Sequence, residues 1–296
     1  YSITINAVDA TSTTAADLNA INALTSVPVD LVNVTALAES SLSDLDTLAA
    51  AITDNEFSSV AGIATLAVSD ITIDASALAS TIDSYDEING ESTTGMTLAA
   101  GATINVDASE VTEMLDDETA GRLTISDQAI TVTGEISVDT ANLLNETTSG
   151  VVTASIATTE TVDELITLAG TGNAYTIVIA EEDATGSTAS ELTTIDNATT
   201  VVVDATAVNE VTGSNTEINT LYGSGGVNGL GDANIIITND LTVAEANEID
   251  LLTTDVVTAT IVSSETVETL KTLTGVNEYS ITINAVDATS TTAADL

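Results

Sequence analysis

Acidic side chains dominate the residues of this chain that could carry out chemistry. The 296 residues contain 46 Asp and Glu, only two bases, Arg122 and Lys271, and no His or Cys. Thiolate metal sites, cysteine nucleophiles and histidine-based triads are therefore excluded. What remains is the chemistry of carboxylates, which form many pairs and clusters, among them Asp83, Asp86 and Glu87; Asp116 and Asp117; and Glu181, Glu182 and Asp183.

Paired carboxylates are the catalytic groups of glycosidases. Solenoid lyases combine acids with calcium, but they also need Arg or Lys to stabilise developing charge. We expect neither Arg122 nor Lys271 to lie in an acidic cluster that several parts of the chain share. The acids are better explained as solvated surface residues. The sequence therefore predicts no catalytic residues and a protein that is not an enzyme.

Calcium binding is the second possibility for the acids. The stretch Gly225–Asp232 is rich in Gly and resembles the Gly/Asp loops of calcium-binding nonapeptide repeats, but its spacing differs and it does not recur. EF-hand loops are absent too. The alternative is a long loop with an Asn-Gly turn. No cofactor is specified, and calcium or other divalent cations are the candidate ions. The candidate metal ligands are Asp232, Asp183, Asp116 and Asp117.

The net charge of −44 limits the partners of the chain. Nucleic acid is excluded because phosphate neutralisation requires Lys and Arg, and anionic membrane surfaces are excluded for the same reason. No apolar run approaches the roughly 20 residues of a membrane span, so direct membrane insertion is not expected. The expected partners are copies of the chain itself or adjoining periods of the same chain.

A repeat organises the elements that carry these acids. Tyr1–Leu18 recurs without one substitution as Tyr279–Leu296, at an offset of 278 residues. A shorter, imperfect repeat relates Val151–Gly170 to Val256–Gly275. We interpret residues 1–278 as one period of a longer array and residues 279–296 as the start of the next identical period. The natural protein is accordingly expected to begin elsewhere and to continue beyond Leu296.

Beneath the repeats lies a unit of one strand and one short helix. Alternating β-branched residues, as in Ser2–Asn6, indicate strands, and stripes such as Leu18, Ile21 and Leu24 indicate helix faces. A hydroxyl residue followed three positions later by an acid marks a helix start. Six examples precede predicted helices: Thr14/Asp17, Ser41/Asp44, Thr161/Glu164, Thr188/Glu191, Ser214/Glu217 and Thr242/Glu245. The predicted strands begin near Ser2, Val29, Ala64, Ala102, Leu123, Val151, Tyr175, Thr200, Asn234 and Val256.

A unit of about 28 residues cannot bury its own apolar face, whereas stacked units can. The predicted fold is an α/β solenoid of about ten stacked coils. Each coil would hold a short parallel β-strand and a short helix, with right-handed connections. The alternative is a parallel β-helix with few helices.

The repeat texture is similar to that of giant acidic repetitive surface proteins of marine cyanobacteria and other aquatic bacteria. The segments that carry the similarity are Glu217–Tyr222, Gly229–Gly231 followed by Ile235–Thr238, and Asp250–Thr254 before Val256–Ala259. This resemblance implies a secreted or surface-attached structural protein with a role in adhesion, motility or a biofilm matrix. It carries over no catalytic residues.

Repeats and charge together predict a structural protein located outside the cell or on its surface. It would form an extracellular filament, or a segment of a giant surface fibre, by end-to-end continuation of its coils. The 278-residue period keeps 44 of the 46 acids, so divalent cations are expected to screen it. The alternative function is a calcium-dependent adhesin stalk for surface or cell attachment.

Overall fold

The protein folds as two compact units in a computed structural model. The structure describes residues 2–7, 12–60, 63, 65–89, 95–183 and 185–284. The first unit comprises Tyr1–Glu135 and Leu143–Ala154, and the second comprises Ile136–Asn142 and Ser155–Leu296. These two units do not correspond to the predicted period, residues 1–278, and the predicted start of the next period, residues 279–296; that division stays a prediction.

Ten α-helices and one 3₁₀ turn, at Glu181–Asp183, form in the described part of the chain. The helices α1 to α10 span Ala15–Asn22, Leu42–Thr53, Ala75–Asn89, Val111–Thr119, Val138–Thr147, Val162–Leu165, Ala189–Asn197, Asn215–Ser224, Val243–Asp250 and Val267–Leu270.

Seventeen strands, most of them very short, alternate with these helices within the described residues. The strands β1 to β17 span Val29–Asp30, Phe57–Ser58, Thr65–Val68, Thr72–Asp74, Gly95–Leu98, Thr103–Asp107, Leu123–Thr124, Ala129–Ile136, Val152–Ile156, Ala174–Thr176, Ser187–Thr188, Val203–Asp204, Glu210–Gly213, Val227–Asn228, Asn234–Ile237, Val257–Thr260 and Glu278–Ser280.

The described strands form five small sheets, and every recorded strand register is parallel. The sheet orders are β1-β2, β3-β5-β7, β10-β9-β8-β6-β4, β12-β14 and β11-β13-β15-β16-β17. Paired strands lie 20 to 31 residues apart in sequence: Thr258 is opposite Glu278 in one sheet, and Thr72 is opposite Thr103 in another.

The prediction of an α/β solenoid with about ten stacked coils is wrong. The chain is an α/β protein whose strands divide among several small parallel sheets of two to five strands. Some segments contribute one strand and others two, as β3 and β4 do, and the sequence distance between partners varies. A continuous ladder of stacked coils requires every strand–helix segment to present an equivalent strand at the same position. The strand–helix segments of this chain do not meet that requirement. The alternative of a β-helix with few helices is also wrong, since ten helices form.

The predicted helix starts are confirmed at all six hydroxyl–acid pairs. In each pair the hydroxyl oxygen accepts the backbone N–H of the acid three residues later, and five of the six are full capping boxes. The predicted stripe through Leu24 is wrong, because α1 ends at Asn22 and Leu24 is 84% exposed.

The core of each unit lies between its short strands and its helices. Alternate strand residues such as Ile104 and Val106 point inward and are buried, and so are helix residues such as Leu45 and Leu48. Such a core consists almost entirely of aliphatic side chains. None of the described helices combines the length and apolar content needed to cross a membrane.

Candidate functional site: an ion-pair cluster and a repeated strand segment

Arg122 joins two helices through one buried and one half-buried acid. Its Nη2 donates to Oδ1 of Asp117 on α4, and its Nη1 lies 3.6 Å from Oδ2 of Asp86 on α3. The side chains of Asp117 and Asp86 are only 4% and 17% exposed, whereas that of Arg122 is 31% exposed. The expectation that neither base lies in an acidic cluster is therefore wrong for Arg122.

Burial sets the electrostatics of this cluster. Loss of solvation raises the pKa of Asp117, the Arg122 guanidinium opposes that rise, and the nearby Asp83 and Asp86 carboxylates add to it. Nε of Arg122 and Oδ1 of Asp86 are buried without a hydrogen-bond partner among the described residues. The arrangement is a helix-to-helix ion pair with incomplete hydrogen bonding.

An open groove runs beside the cluster between α3 and α4. Its polar lining consists of Ser76, Ser80, Asp83, Ser84, Glu87, Glu110 and Glu113. No group of three or more acids among the described residues is arranged to hold a metal ion. The groove is thus a polar surface between two helices, and its described acids form no metal-binding group.

The four predicted metal ligands lie in different surroundings. Asp116 is exposed, while its neighbour Asp117 is buried against Arg122. Asp183 is half-buried and accepts the backbone N–H of Val162 at 3.1 Å. Asp232 is exposed. No described metal-binding group includes any of them.

The other predicted features also have local roles. In the Gly-rich stretch, Gly225 ends α8 in a left-handed conformation, and β14 pairs with β12. Lys271 pairs with Glu268 at 3.2 Å on the surface. The side chain of Glu182 lies outside the described residues.

The first copy of the repeated segment pairs with the strand β1. Asp30 donates its N–H to the carbonyl of Ile3 at 2.9 Å, and its own carbonyl accepts the N–H of Ile5 at 3.1 Å. Asn33 adds a bond from Nδ2 to the Ile5 carbonyl at 2.8 Å. We call Ile3 and Ile5 the first isoleucine pair; the two residues hold the backbone of Asp30 between them.

The second copy uses the opposite side of the same sequence. It begins in β17, at one edge of its sheet, where the Ser280 carbonyl accepts the N–H of Ile261 at 2.9 Å. The residues equivalent to the first pair are Ile281 and Ile283, the last isoleucine pair. The structure records no backbone hydrogen bond from either of these to another described residue, and Ile281 is 43% exposed. Residues 285–296 of this copy lie outside the described residues.

Sequence reasoning identified the repeated segment but not its partners. The identity of Tyr1–Leu18 and Tyr279–Leu296 was the available signal. The pairing of the isoleucines with Asp30 depends on which strand lies alongside, and no local pattern specifies that. The Arg122 cluster was missed for a similar reason, although Asp117 lies only five residues before Arg122.

The chain matches no protein-family model, no curated protein and no solved structure.

Proposed function

We propose that this chain is a structural protein of the cell exterior. It forms an extracellular filament, or a segment of a giant surface fibre, by end-to-end continuation of its 278-residue periods. Divalent cations screen the assembly. The strands that would continue from one period to the next lie in several small sheets and not in stacked solenoid coils.

One observation carries the proposal. An identical sequence is hydrogen-bonded through one side in its first copy and through the opposite side in its second copy. A strand in a longer array uses both sides, since it has a neighbour before it and a neighbour after it. Each copy here therefore supplies half of the bonding of one internal strand.

The charge of the chain supports an exterior, self-associating role. Forty-six acids and two bases leave few attractive contacts with anionic partners. Backbone pairing does not depend on side-chain charge, so it allows two such chains to meet once salt has screened their repulsion.

Labelling of the source cells tests the proposed function. Antibodies raised against the purified chain, followed by gold-labelled secondary antibody and electron microscopy, should decorate fibres outside the cell envelope. Label confined to the cell interior would contradict the proposal. Pre-immune serum is the control for the labelling.

The adhesin stalk stays an alternative prediction, and the same images separate it from the fibre. Label along continuous fibres favours the structural role. Isolated rods that end in a globular tip, and detach from their surface when calcium is chelated, favour the stalk.

A further inference from the structure

A third segment of the chain repeats the pairing of the first isoleucine pair. In the stretch Ala174–Ala180 the middle isoleucine pair, Ile177 and Ile179, holds the backbone of Asp204. The N–H of Asp204 donates to the Ile177 carbonyl at 3.0 Å, and the N–H of Ile179 donates to the Asp204 carbonyl at 2.8 Å.

The partner strands of the first and middle pairs have the same construction. Both read Val-Asp, as Val29–Asp30 and Val203–Asp204, and both valines are fully buried. Both aspartates also accept, through Oδ1, the backbone N–H two residues later, that of Val32 at 3.1 Å and that of Thr206 at 3.0 Å. The same pairing thus occurs once in each unit of the protein.

The last isoleucine pair has the same sequence but no such partner among the described residues. At the second position of the pair, Ile5 is 8% and Ile179 is 1% exposed, whereas Ile283 is half-buried. At the first position, Ile3 is half-buried and Ile177 is 1% exposed, whereas Ile281 is 43% exposed. Strand pairing on the other side is already in place through Ser280. The last isoleucine pair, which follows the edge strand β17, therefore offers backbone groups to which a Val-Asp strand can bind.

We propose that the last isoleucine pair binds the strand Val29–Asp30 of a second copy of this chain. The N–H of that Asp30 donates to the Ile281 carbonyl, and its carbonyl accepts the N–H of Ile283. Asn33 of the second copy donates to the Ile283 carbonyl. This inference rests on the proposed function and deepens it by naming the two surfaces that meet.

Sequence identity selects Val29–Asp30 over Val203–Asp204 as the occupant. Residues 279–284 are identical to residues 1–6, of which Ile3 and Ile5 bind Asp30 in the structure. The segment that binds Val203–Asp204 differs, since it reads Tyr-Thr-Ile-Val-Ile from Tyr175 to Ile179. The bond from Asn33 to Ile5 adds a contact specific to the first pairing.

Docking proceeds by strand replacement. In the second copy, Asp30 is already bound by its own Ile3 and Ile5, so the incoming segment must displace residues 2–6. Each displaced bond is replaced by an identical one, as in domain swapping. The resident segment has the advantage of high effective concentration, so exchange requires concentrated protein and screened charge.

Matched proline variants of the 296-residue chain test the replacement. Ile5→Pro removes the N–H that binds Asp30 within the chain, and Ile283→Pro removes the equivalent N–H of the last pair. Their local sequences are identical, yet the expected effects are opposite. Light scattering coupled to gel filtration, in ~1 M NaCl where the Debye length is about 3 Å, should show more assembly for Ile5→Pro and less for Ile283→Pro than for the unaltered chain.

The double variant Ile5→Pro/Ile283→Pro is the control for non-specific effects. It should not assemble, because its last pair can no longer bind. Assembly of the double variant as strong as that of Ile5→Pro would overturn the proposal. Failure of Ile5→Pro to exceed the unaltered chain, with both folded by circular dichroism, would overturn it as well. Neither result bears on the labelling of cells, so the proposed function is tested separately.

Cross-linking tests the register, because the chain contains no cysteine. Thr4 pairs with Asp30 in the first copy, so Thr282 should pair with Asp30 of the second molecule. Asp30→Cys in the Ile5→Pro chain, mixed with a Thr282→Cys chain, should cross-link efficiently. Glu278→Cys is the matched control, since it lies four residues, about 13 Å, away along the strand. With a bis-maleimide spacer shorter than that separation, equal cross-linking from both positions would refute the register.

Discussion

Arg122 illustrates how a single cation affects a strongly acidic chain. It lies between Asp117 of α4 and Asp86 of α3, and the Asp117 side chain has almost no access to water. Removing the partner of a buried charge lowers the free energy of unfolding more than removing the partner of an exposed charge. The reason is that the remaining buried charge keeps its desolvation penalty.

We expect Arg122→Met to lower the free energy of unfolding by about 1–3 kcal/mol, a value reduced because Arg122 is about one-third exposed. Lys271→Met is the matched control, and its surface pair with Glu268 should contribute less than about 1 kcal/mol. Urea unfolding at neutral pH measures both. Equal losses from the two variants would contradict a special role for the Arg122 cluster.

The pH dependence of the same variant follows from the raised pKa of Asp117. An acid whose pKa is higher in the folded state favours folding most when it is protonated. Its contribution to stability therefore falls as pH rises from the ordinary Asp pKa to the raised one. Without Arg122 the pKa should rise further, so the deficit of Arg122→Met should shrink in mild acid. A deficit that is constant with pH would contradict this.

Gly229 is a second residue whose type is required by its surroundings. It has φ of +87°, and a Cβ added there would lie 2.5 Å from the backbone nitrogen of Thr206. Gly231, two residues later, has no atom within 4 Å of its added Cβ.

Gly229→Ala should therefore cost about 2–4 kcal/mol, from left-handed strain and a clash with backbone, whereas Gly231→Ala should change stability by less than about 0.5 kcal/mol. Thermal unfolding of the two variants measures the difference. A mild effect at Gly229 would mean that the loop can move away from Thr206.

At the scale of elements, the capping boxes are the most uniform feature of the fold. In α9, Thr242 accepts the N–H of Glu245, and Glu245 accepts both the N–H and the hydroxyl of Thr242. The backbone bond from Thr242 and then the hydroxyl bond lower the pKa of Glu245. In α10, by contrast, the cap Thr266 faces Thr269, which has no carboxylate.

Thr242→Ala should lower the free energy of unfolding by about 1 kcal/mol at neutral pH. The contribution of Glu245 is present above its ordinary pKa and is lost as pH falls through its lowered pKa. The cost of Thr242→Ala should therefore diminish in acid, while that of Thr266→Ala should not. Denaturant unfolding at several pH values checks this, and parallel pH profiles would count against the assignment.

Local signals predicted helices better than sheets. The six capping pairs predicted helix starts because cap and acid are three residues apart and need no distant partner. Strands such as Glu210–Gly213 and Gly95–Leu98 were missed. They lack the alternation of β-branched residues, and they form because a parallel neighbour lies alongside. The division of the strands among separate sheets also depends on contacts between residues that are distant in sequence. The same is true of the Arg122 cluster, in which Arg122 contacts Asp86.

At the scale of the whole molecule, charge opposes compactness. The chain carries a formal net charge of −44. Its two bases pair with acids that are near them in sequence, Arg122 with Asp117 and Lys271 with Glu268. Most of the remaining acids repel one another, and salt screens that repulsion over the Debye length.

Added salt should therefore raise the melting temperature of the chain by a few degrees, and divalent salts should do so at lower concentrations than NaCl. Because no described cluster of acids is arranged as a metal site, Ca²⁺ and Mg²⁺ should act alike at equal concentration. Differential scanning fluorimetry compares the ions. A rise with Ca²⁺ well above that with Mg²⁺ would instead indicate a specific calcium site.

The last isoleucine pair has a consequence for how such a protein can change in length. Its sequence is identical to that of the first pair, so a chain that gains or loses one block of 278 residues still offers each remaining Val-Asp strand a matching partner. No new contact has to be selected, and none is lost. Chains with different numbers of blocks should therefore be equally well folded, and the length of the proposed fibre could follow the distance that it has to bridge.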